Sequence, residues 1–213
     1  MQLSSRPGFA AQSTRDYGAV SQNGNIRAPD NLVAGLGEAQ AAAKRGPAPV
    51  HLWNPPFCGD IDMRIAADGT WFYLGSPIGR LPLVKLFSSI LRKDPDRYVL
   101  VTPVERVGIK VDDAPFLAVE MFREAGRIGF RTQVDDVVWV DAEHPLRFET
   151  GAAEGLKPYV RVRGELWALV KRALFYDLVE RGVVETHEGE EWFGVRSAGG
   201  FWPMRRAREI EGM

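Results

Sequence analysis

The sequence predicts an α+β protein of two small, strand-rich domains, each with mainly antiparallel strands and one amphipathic helix. Short segments that alternate apolar and polar residues recur along the chain, and Gly, Pro or Asp bounds each of them. The 213 residues are enough for two small domains. The order of strands, one helix and a further strand occurs twice, and the two helices share a Leu-Val-Lys run, at residues 83–85 and 169–171. This repetition indicates an internal duplication.

The first domain is predicted over residues 47–113 and opens with a β-hairpin. The segments "DIDMRIA" and "TWFYLG" both alternate, and Asp68-Gly69 between them favours a tight turn. A helix follows, because apolar residues recur at helical spacing from Leu83 to Ile90. The segment "DRYVLVTPVERVGIKV" then predicts two strands that are interrupted near Pro103, since proline donates no hydrogen bond to a sheet.

The second domain is predicted over residues 114–206 as a meander of antiparallel strands. Its strands are the short alternating segments "FLAVEMF", "RIGFRTQ", "DVVWVD", "LRFET" and "KPYVRVR". An amphipathic helix is predicted next over "GELWALVKRALFYDLVERG", with an apolar stripe from Leu166 to Leu178 and an end at Gly182. The segment "EWFGVRS" predicts a last strand, and "GGFWPM" closes the domain.

The two ends of the chain lie outside these domains. Residues 1–28 are rich in Ser, Gln, Gly and Asn, so we predict a disordered extension, with an interaction arm as the alternative. Residues 29–46 predict a short helix that begins at Asp30, a favourable N-cap, and continues through a run of alanines. Residues 207–213 are predicted to be a frayed tail.

The composition narrows the class of protein. The net charge of -1 gives no basic surface for DNA or RNA and no general attraction to anionic lipid, so we expect neither nucleic-acid nor membrane binding. The single cysteine, Cys58, cannot form an internal disulfide, which fits a reducing, cytoplasmic setting. No apolar run approaches the roughly 20 residues of a membrane helix, and the N-terminus lacks a secretory signal.

A column of polar residues lies on the first predicted strand. Because side chains alternate, Ile61, Met63 and Ile65 point into the core and the residues between them point out. The outward residues are Cys58, Asp60, Asp62 and Arg64. Such a column is also the ordinary solvent face of an antiparallel strand. The neighbouring aromatic residues Trp53 and Phe57 favour a binding surface, since exposed aromatic clusters mark interfaces.

A second polar column lies on the segment "KPYVRVR". Tyr159, Arg161 and Arg163 share one face there. Two guanidinium groups and one aromatic ring suit a phosphate, a carboxylate or a nucleotide, although the arginines could equally pair with acidic neighbours on the surface. Asp135 and Asp136 are predicted to form a turn, or to join Asp60 and Asp62 in a metal site.

Known catalytic motifs are missing from the sequence. It contains no Walker loop, no GxGxxG before a helix, no zinc-ligand spacing and no GxSxG elbow. We therefore predict no catalytic residue, no metal ligand and no particular cofactor, and a binding protein is favoured over an enzyme.

Several long runs resemble a bacterial family known as domain of unknown function 1285. They are "HLWNPPFCGDIDMRIAADGTWFYLGSPIGR", "YVLVTPVERVGI" and "LKPYVRVRGELWALVKRALFYDLV". The resemblance implies a duplicated α+β core, a C-terminal domain like pleckstrin-homology folds, a nucleotide-like ligand in the cleft between the domains and a role in signalling. The residues that match the family's motifs are Cys58, Gly59, Asp60, Asp62, Arg64, Arg80, Thr102 and Glu105.

Three functions are consistent with these features. The first is a non-enzymatic protein that binds a nucleotide-like or phosphorylated small molecule in a cleft between the two polar columns. The second is a metal-dependent hydrolase or phosphotransferase that uses Asp60 and Asp62. The third is a protein-interaction module, in which the aromatic residues of "HLWNPP" and "GGFWPM" form the contact surface.

Overall fold

The first domain is a six-stranded sheet covered by one helix. The computed structural model describes residues 48–151 and 155–210 of the chain. After a short 3₁₀ turn at Val50–Leu52 come β1 (Phe57–Ile65), β2 (Trp71–Tyr73), β3 (Ser76–Pro77), helix α1 (Leu81–Ser89), β4 (Leu91–Lys93), β5 (Tyr98–Val101) and β6 (Arg106–Val111). The strands lie in the order β3-β2-β1-β6-β5-β4. Strands β1 and β6 are parallel at the centre, and the other pairs are antiparallel.

The second domain contains a second six-stranded sheet and a smaller third sheet. Its elements are β7 (Phe116–Glu124), β8 (Arg127–Thr132), β9 (Val137–Trp139), β10 (Leu146–Thr150), β11 (Leu156–Arg163), β12 (Leu166–Val170), helix α2 (Arg172–Val179), β13 (Val183–His187), β14 (Glu190–Ser197), β15 (Gly200–Arg206) and helix α3 (Ala207–Ile210). The large sheet has the order β10-β11-β12-β7-β8-β9, with β12 and β7 parallel. Strands β13, β14 and β15 form the third sheet. The prediction of two strand-rich domains with mainly antiparallel strands is therefore confirmed.

The alternation of β1 puts its apolar side into the core. Met63 and Ile65 are buried, and they lie on the face that also carries Trp71 and Tyr73 of β2. Helix α1 covers this face with Phe87, whose ring stacks on Trp71 at a centroid distance of 6.2 Å. Burying such side chains is the main favourable term in folding, at about 1.5–3 kcal/mol for each. The predicted hairpin and the predicted helix of the first domain are both present.

The predicted second helix is wrong over its first half. Residues Leu166–Val170 form strand β12, and only Arg172–Val179 is helical. Leu166, Ala168 and Val170 are buried, so the segment also satisfies a period of two. Pairing with β11 on one side and β7 on the other decides the outcome, because a central strand satisfies its backbone groups on both edges.

The predictions for the chain ends and for the number of strands also differ from the described structure or lie outside it. Strands β3, β4, β13 and β15 were not predicted, and β15 follows the strand that the sequence predicted to be the last. Ala207–Ile210 forms a helical turn with Ala207 buried, so the predicted frayed tail is wrong there. The predicted extension at residues 1–28 and the helix at residues 29–46 lie outside the described residues, as do residues 211–213. Within the described ranges, every helix is too short or too polar to span a membrane.

Charged residues join the two domains. Lys85 of α1 pairs with Asp135 in the turn between β8 and β9. Arg163 of β11 pairs with Asp136 and donates to the Ser88 carbonyl oxygen at 2.7 Å. The β1–β2 turn also packs closely on the second domain, since a Cβ at Gly69 would lie 2.9 Å from Leu117 Cδ1. The predicted turn role of the two aspartates is confirmed, and both side chains serve the domain junction.

Replacing Arg163 by methionine should weaken the junction, because Asp136 and the Ser88 carbonyl would lose a charged donor. We expect the free energy of unfolding to fall by about 1.5–3 kcal/mol, the usual range for hydrogen bonds to charged groups. Urea unfolding of the full chain measures this loss. Arg123→Met, an exposed position on β7, is the matched control and should change stability by less than about 0.5 kcal/mol. Equal losses in the two variants would contradict the bridging role.

Candidate functional site

The residues of the first polar column are exposed, as predicted. Cys58, Asp60 and Asp62 face solvent on β1. The strand bulges at Gly59, whose φ of +100° is in the left-handed region, and its register against β6 shifts on both sides of Asp60. Asp60 lies over Gly108, where a Cβ would come within 1.9 Å of Asp60 Oδ1, and forms a 3.8 Å ion pair with Arg97.

Arg64 is engaged by an aspartate of its own domain. Its Nε atom lies 3.0 and 2.9 Å from the two carboxylate oxygens of Asp112, and a second guanidinium nitrogen also donates to them. This hydrogen bonding lowers the pKa of Asp112. The guanidinium carbon is also 5.7 Å from the Phe72 ring centroid. A ligand that binds Arg64 would therefore have to compete with the Asp112 carboxylate, which accepts hydrogen bonds from two nitrogens of the guanidinium group.

The other three motif residues of the first domain have different surroundings. Arg80 is exposed at the start of α1. Thr102 is buried, and its hydroxyl accepts from the Glu105 backbone N–H at 3.2 Å within a turn. Glu105 is half-buried, and its Oε1 atom has no hydrogen-bond partner among the described residues. Burial raises the pKa of the Glu105 carboxyl.

The second polar column has partners within the protein. Tyr159 is buried and donates to Asp113 Oδ1 at 2.6 Å; burial and this hydrogen bond raise the pKa of Tyr159. Arg161 pairs with Glu165 at 2.7 Å, and Arg163 forms the interdomain contact described above. The sequence left two alternatives for these arginines, a ligand or an acidic neighbour, and the pairing of Arg161 with Glu165 matches the second. Ligand contact stays a prediction for all the residues expected from the sequence, which are Cys58, Asp60, Asp62, Arg64, Arg80, Thr102, Glu105, Tyr159, Arg161 and Arg163.

Of three pockets in the described part of the chain, none is lined by residues of both predicted columns. One of these pockets, of about 370 Å³, is lined by Phe57, Arg97, Arg106 and the Asp94–Asp96 turn. Its residue Arg97 forms the ion pair with Asp60. The other two are formed by residues of both domains and are described below. In the described part of the chain, no group of three His, Cys, Asp or Glu residues is close enough to hold a metal ion. The aspartates at positions 60, 62, 135 and 136 therefore do not form the metal site that the sequence allowed.

The largest of the three pockets is a groove between the two domains, with a volume of about 840 Å³. The first domain contributes Ala67 and Asp68 from the β1–β2 turn. The second domain contributes an apolar floor, which consists of Leu117, Leu156, Pro158, Leu169, Val170 and Phe175. A groove of this size, mostly apolar and with a few charged groups, has the usual character of a small-molecule site.

The N-terminus of α2 opens into this groove. Lys171 precedes the helix and makes no side-chain cap hydrogen bond, and the first helical bond closes from the Phe175 N–H to the Lys171 carbonyl at 3.1 Å. The N–H groups of Arg172, Ala173 and Leu174 therefore have no acceptor earlier in the helix. They add the positive end of the helix dipole to the charges of Lys171 and Arg172, both of which line the groove.

The other two charged side chains of the groove, Lys157 and Asp68, are bonded to protein groups. Lys157 pairs with Asp113 at 2.6 Å. Burial opposes ionisation of Asp113, but hydrogen bonds from Lys157 and Tyr159 outweigh burial and lower its pKa. Asp68 accepts from the Thr70 N–H at 2.9 Å, which lowers the pKa of Asp68. Arg172 donates to the Tyr176 hydroxyl at 2.8 Å. Lys171, Arg172 and the helix end thus form one electropositive end of the groove.

The sequence reasoning missed these groove residues because it placed Lys171 and Arg172 in the middle of a helix. They in fact lie at the junction of a strand and a helix, where the N–H groups of the first helical turn have no acceptor within the helix. The signal was the turn at Gly164-Glu165, after which the buried residues Leu166, Ala168 and Val170 alternate. Asp68 was identified only as part of a turn, and its position across from α2 depends on contacts between the domains.

Two family models match this chain, one over each domain. A family model described as "Domain of unknown function (DUF1285), N-terminal domain" matches residues 48–114. A second, "Protein of unknown function (DUF1285), C-terminal domain", matches residues 115–204. The two matches meet at the junction between β6 and β7. None of the curated proteins matches the chain.

Two solved structures are similar to this chain. A DUF1285 family protein from Silicibacter pomeroyi DSS-3 is 50% identical, with a TM-score of 0.72. That match covers 83% of this chain and 97% of the other. A DUF1285 family protein from Shewanella baltica OS155 is 30% identical over 56% of this chain and 91% of the other, with a TM-score of 0.47.

Removing the charge of Asp113 should make stability less dependent on pH. Because the pKa of Asp113 is lowered by folding, its stabilising effect is present above the unfolded value of about 3.9 and is lost as the pH falls through the folded value. Asp113→Asn should therefore be less stable than wild type at pH 7, and the difference should shrink at pH 3. Urea unfolding at both values tests this. Glu120→Gln, an exposed partner of Arg131, is the control, and a difference for Asp113→Asn that is the same at both pH values would contradict the assignment.

Proposed function

We propose a function for this chain, which belongs to the DUF1285 family: it binds an anionic small molecule with an apolar or aromatic body in the groove between its two domains. A nucleotide-like or phosphorylated metabolite has this chemistry. The observation that carries the proposal is the junction of β12 and α2, where Lys171 and Arg172 line the groove beside an apolar floor and the first turn of α2 has no side-chain cap. Helix N-termini with this arrangement bind phosphate.

The ligand is oriented by the two ends of the groove. A phosphate or carboxylate would accept hydrogen bonds from the first turn of α2 and from Lys171 and Arg172. The apolar part would lie on Leu169 and Phe175. Asp68 lies on the rim formed by the first domain and can accept a hydrogen bond from a hydroxyl group of the ligand, as carboxylates do for a ribose. Contacts with both domains favour one relative orientation of the domains when the ligand is bound.

This binding is proposed to be non-enzymatic and to act in signalling. Within the described residues, the groove contains cations, a hydrogen-bonded carboxylate and apolar side chains, without a nucleophile next to a general base. A ligand that binds both domains can change the surface they present, which is what a signalling role requires. A cytoplasmic location fits the single, exposed Cys58.

We also infer that the two large sheets descend from one duplicated unit. Numbered from its first strand, each sheet follows the same path, with the third, second and first strands next to the sixth, fifth and fourth. The first and sixth strands are the parallel pair in both. The helices do not correspond, because α1 lies between the third and fourth strands and α2 follows the sixth. The shared Leu-Val-Lys run therefore carries no weight, and the likeness of the C-terminal domain to pleckstrin-homology folds stays a prediction.

Isothermal titration calorimetry with adenosine 5′-monophosphate and with adenosine tests the ligand class. The monophosphate should bind more tightly than adenosine, because only the phosphate reaches the end of α2. Lys171→Gln and Arg172→Gln should each weaken its binding by about 10- to 100-fold, since a hydrogen bond to a charged group is worth roughly 1.5–3 kcal/mol. Arg181→Gln, which lies beyond the other end of the same helix, is the matched control.

The outcomes separate the site from a general attraction to anions. If Arg181→Gln weakens binding as much as Lys171→Gln, the effect is one of net charge and the groove is not the site. If wild type binds neither compound, the nucleotide-like class is wrong. Phe175→Ala, which shortens the apolar floor, should weaken the monophosphate and adenosine by the same factor.

A further inference from the structure

A second pocket, of about 380 Å³, also lies between the domains. It is separate from the groove, and the two have no lining residue in common. The first domain contributes Lys93, Asp94, Pro95 and Tyr98 around the β4–β5 turn, and the second contributes Arg147, Glu165 and Trp167. The volume is at the small end of the range for ligand sites.

Two cations in this pocket lie over aromatic rings. The Arg147 guanidinium carbon is 4.2 Å from the Trp167 ring centroid and 5.1 Å from that of Tyr159. Lys93 Nζ is 4.4 Å from the Tyr98 ring centroid. An aromatic ring attracts and orients a cation without neutralising it. The N–H groups of both residues therefore stay available to an anion, and they come from the two different domains.

The carboxylates at this pocket are already paired. Asp94 is shared by Arg92 at 2.7 Å and Arg106 at 3.0 Å, so two cations surround one anion. Glu165 pairs with Arg161 at 2.7 Å. The contact between Arg147 and Glu149, at 3.1 Å, joins two half-exposed side chains, and such surface pairs are worth little. The charges around the pocket therefore leave a positive excess, which comes from Lys93 and from the Arg92–Asp94–Arg106 group.

We propose that this pocket is a second binding site, for a small organic anion whose carboxylate or phosphate group lies between Lys93 and Arg147. The planar fork of Arg147 suits either group, and the Lys93 ammonium adds a point charge. Tyr98 also lines the pocket and offers its hydroxyl as a third donor; burial raises the pKa of this group. An anion held in this way would join the β4–β5 turn to strands β10 and β12. The site does not depend on the ligand of the groove.

Calorimetric titration of the full chain with sodium citrate and with sodium phosphate, at constant ionic strength, tests this site. Citrate probes carboxylate recognition and phosphate probes the alternative, so whichever binds identifies the group. Lys93→Gln and Arg147→Gln should each weaken binding by at least about tenfold, the effect of one lost charge-assisted hydrogen bond. Arg123→Gln, at an exposed arginine on β7, should leave binding unchanged. Lys171→Gln separates the two sites, because it removes a cation of the groove and leaves Lys93 and Arg147 in place.

Two results would overturn the second site. One is that neither probe binds to wild type. The other is that Lys93→Gln binds both probes as wild type does, which would place any bound anion elsewhere. In that case, loss of phosphate binding in Lys171→Gln alone would assign the phosphate to the groove. Lys93 is the last residue of the edge strand β4, so its substitution tests the site even if Arg147→Gln fails to fold. Thermal unfolding of each variant establishes that it is folded.

Discussion

The charged contact between the second domain and helix α1 is the constraint on which the rest of the structure depends. Arg163 reaches from β11 to Asp136 and to the end of α1, and Lys85 of α1 reaches back to Asp135. Both pockets between the domains have walls from each side. A small rotation at this junction would separate those walls, because neither domain encloses either pocket alone. Asp135 and Asp136, which the sequence allowed as metal ligands, are therefore ion-pair partners at the domain junction.

Charge pairing also explains which cations remain for a ligand. Arg64 is held by Asp112, Lys157 by Asp113 and Arg163 by Asp136. Lys171, Arg172 and Lys93 have no carboxylate partner of this kind in the described residues, and each lines one of the two interdomain pockets. Three of the four proposed recognition cations are thus ones that folding leaves without an acid, and the fourth, Arg147, has only the half-exposed Glu149 as a carboxylate partner. A net charge near zero for the whole chain hides this separation.

Local patterns predicted much of the fold but little of the site. The alternation of β1 and the Asp68-Gly69 turn are properties of neighbouring residues, so the hairpin could be predicted. Residues 166–170 fit both a helical stripe and a period of two, and only pairing with β7 and β11 selects the strand. One partner of Arg163 is the Ser88 carbonyl, 75 positions away. A contact at that separation leaves no mark in local periodicity, which is why Arg163 was assigned to a ligand.

The central claim is that recognition occurs at the start of α2, between the domains, rather than on the exposed face of β1. Amide chemical shifts of the ¹⁵N-labelled full chain, followed during titration with adenosine 5′-monophosphate, test it most directly. The account predicts that the largest changes occur at the backbone N–H groups of Arg172, Ala173 and Leu174. Changes concentrated at Asp60, Asp62 and Arg64, with the first turn of α2 unaffected, would contradict it.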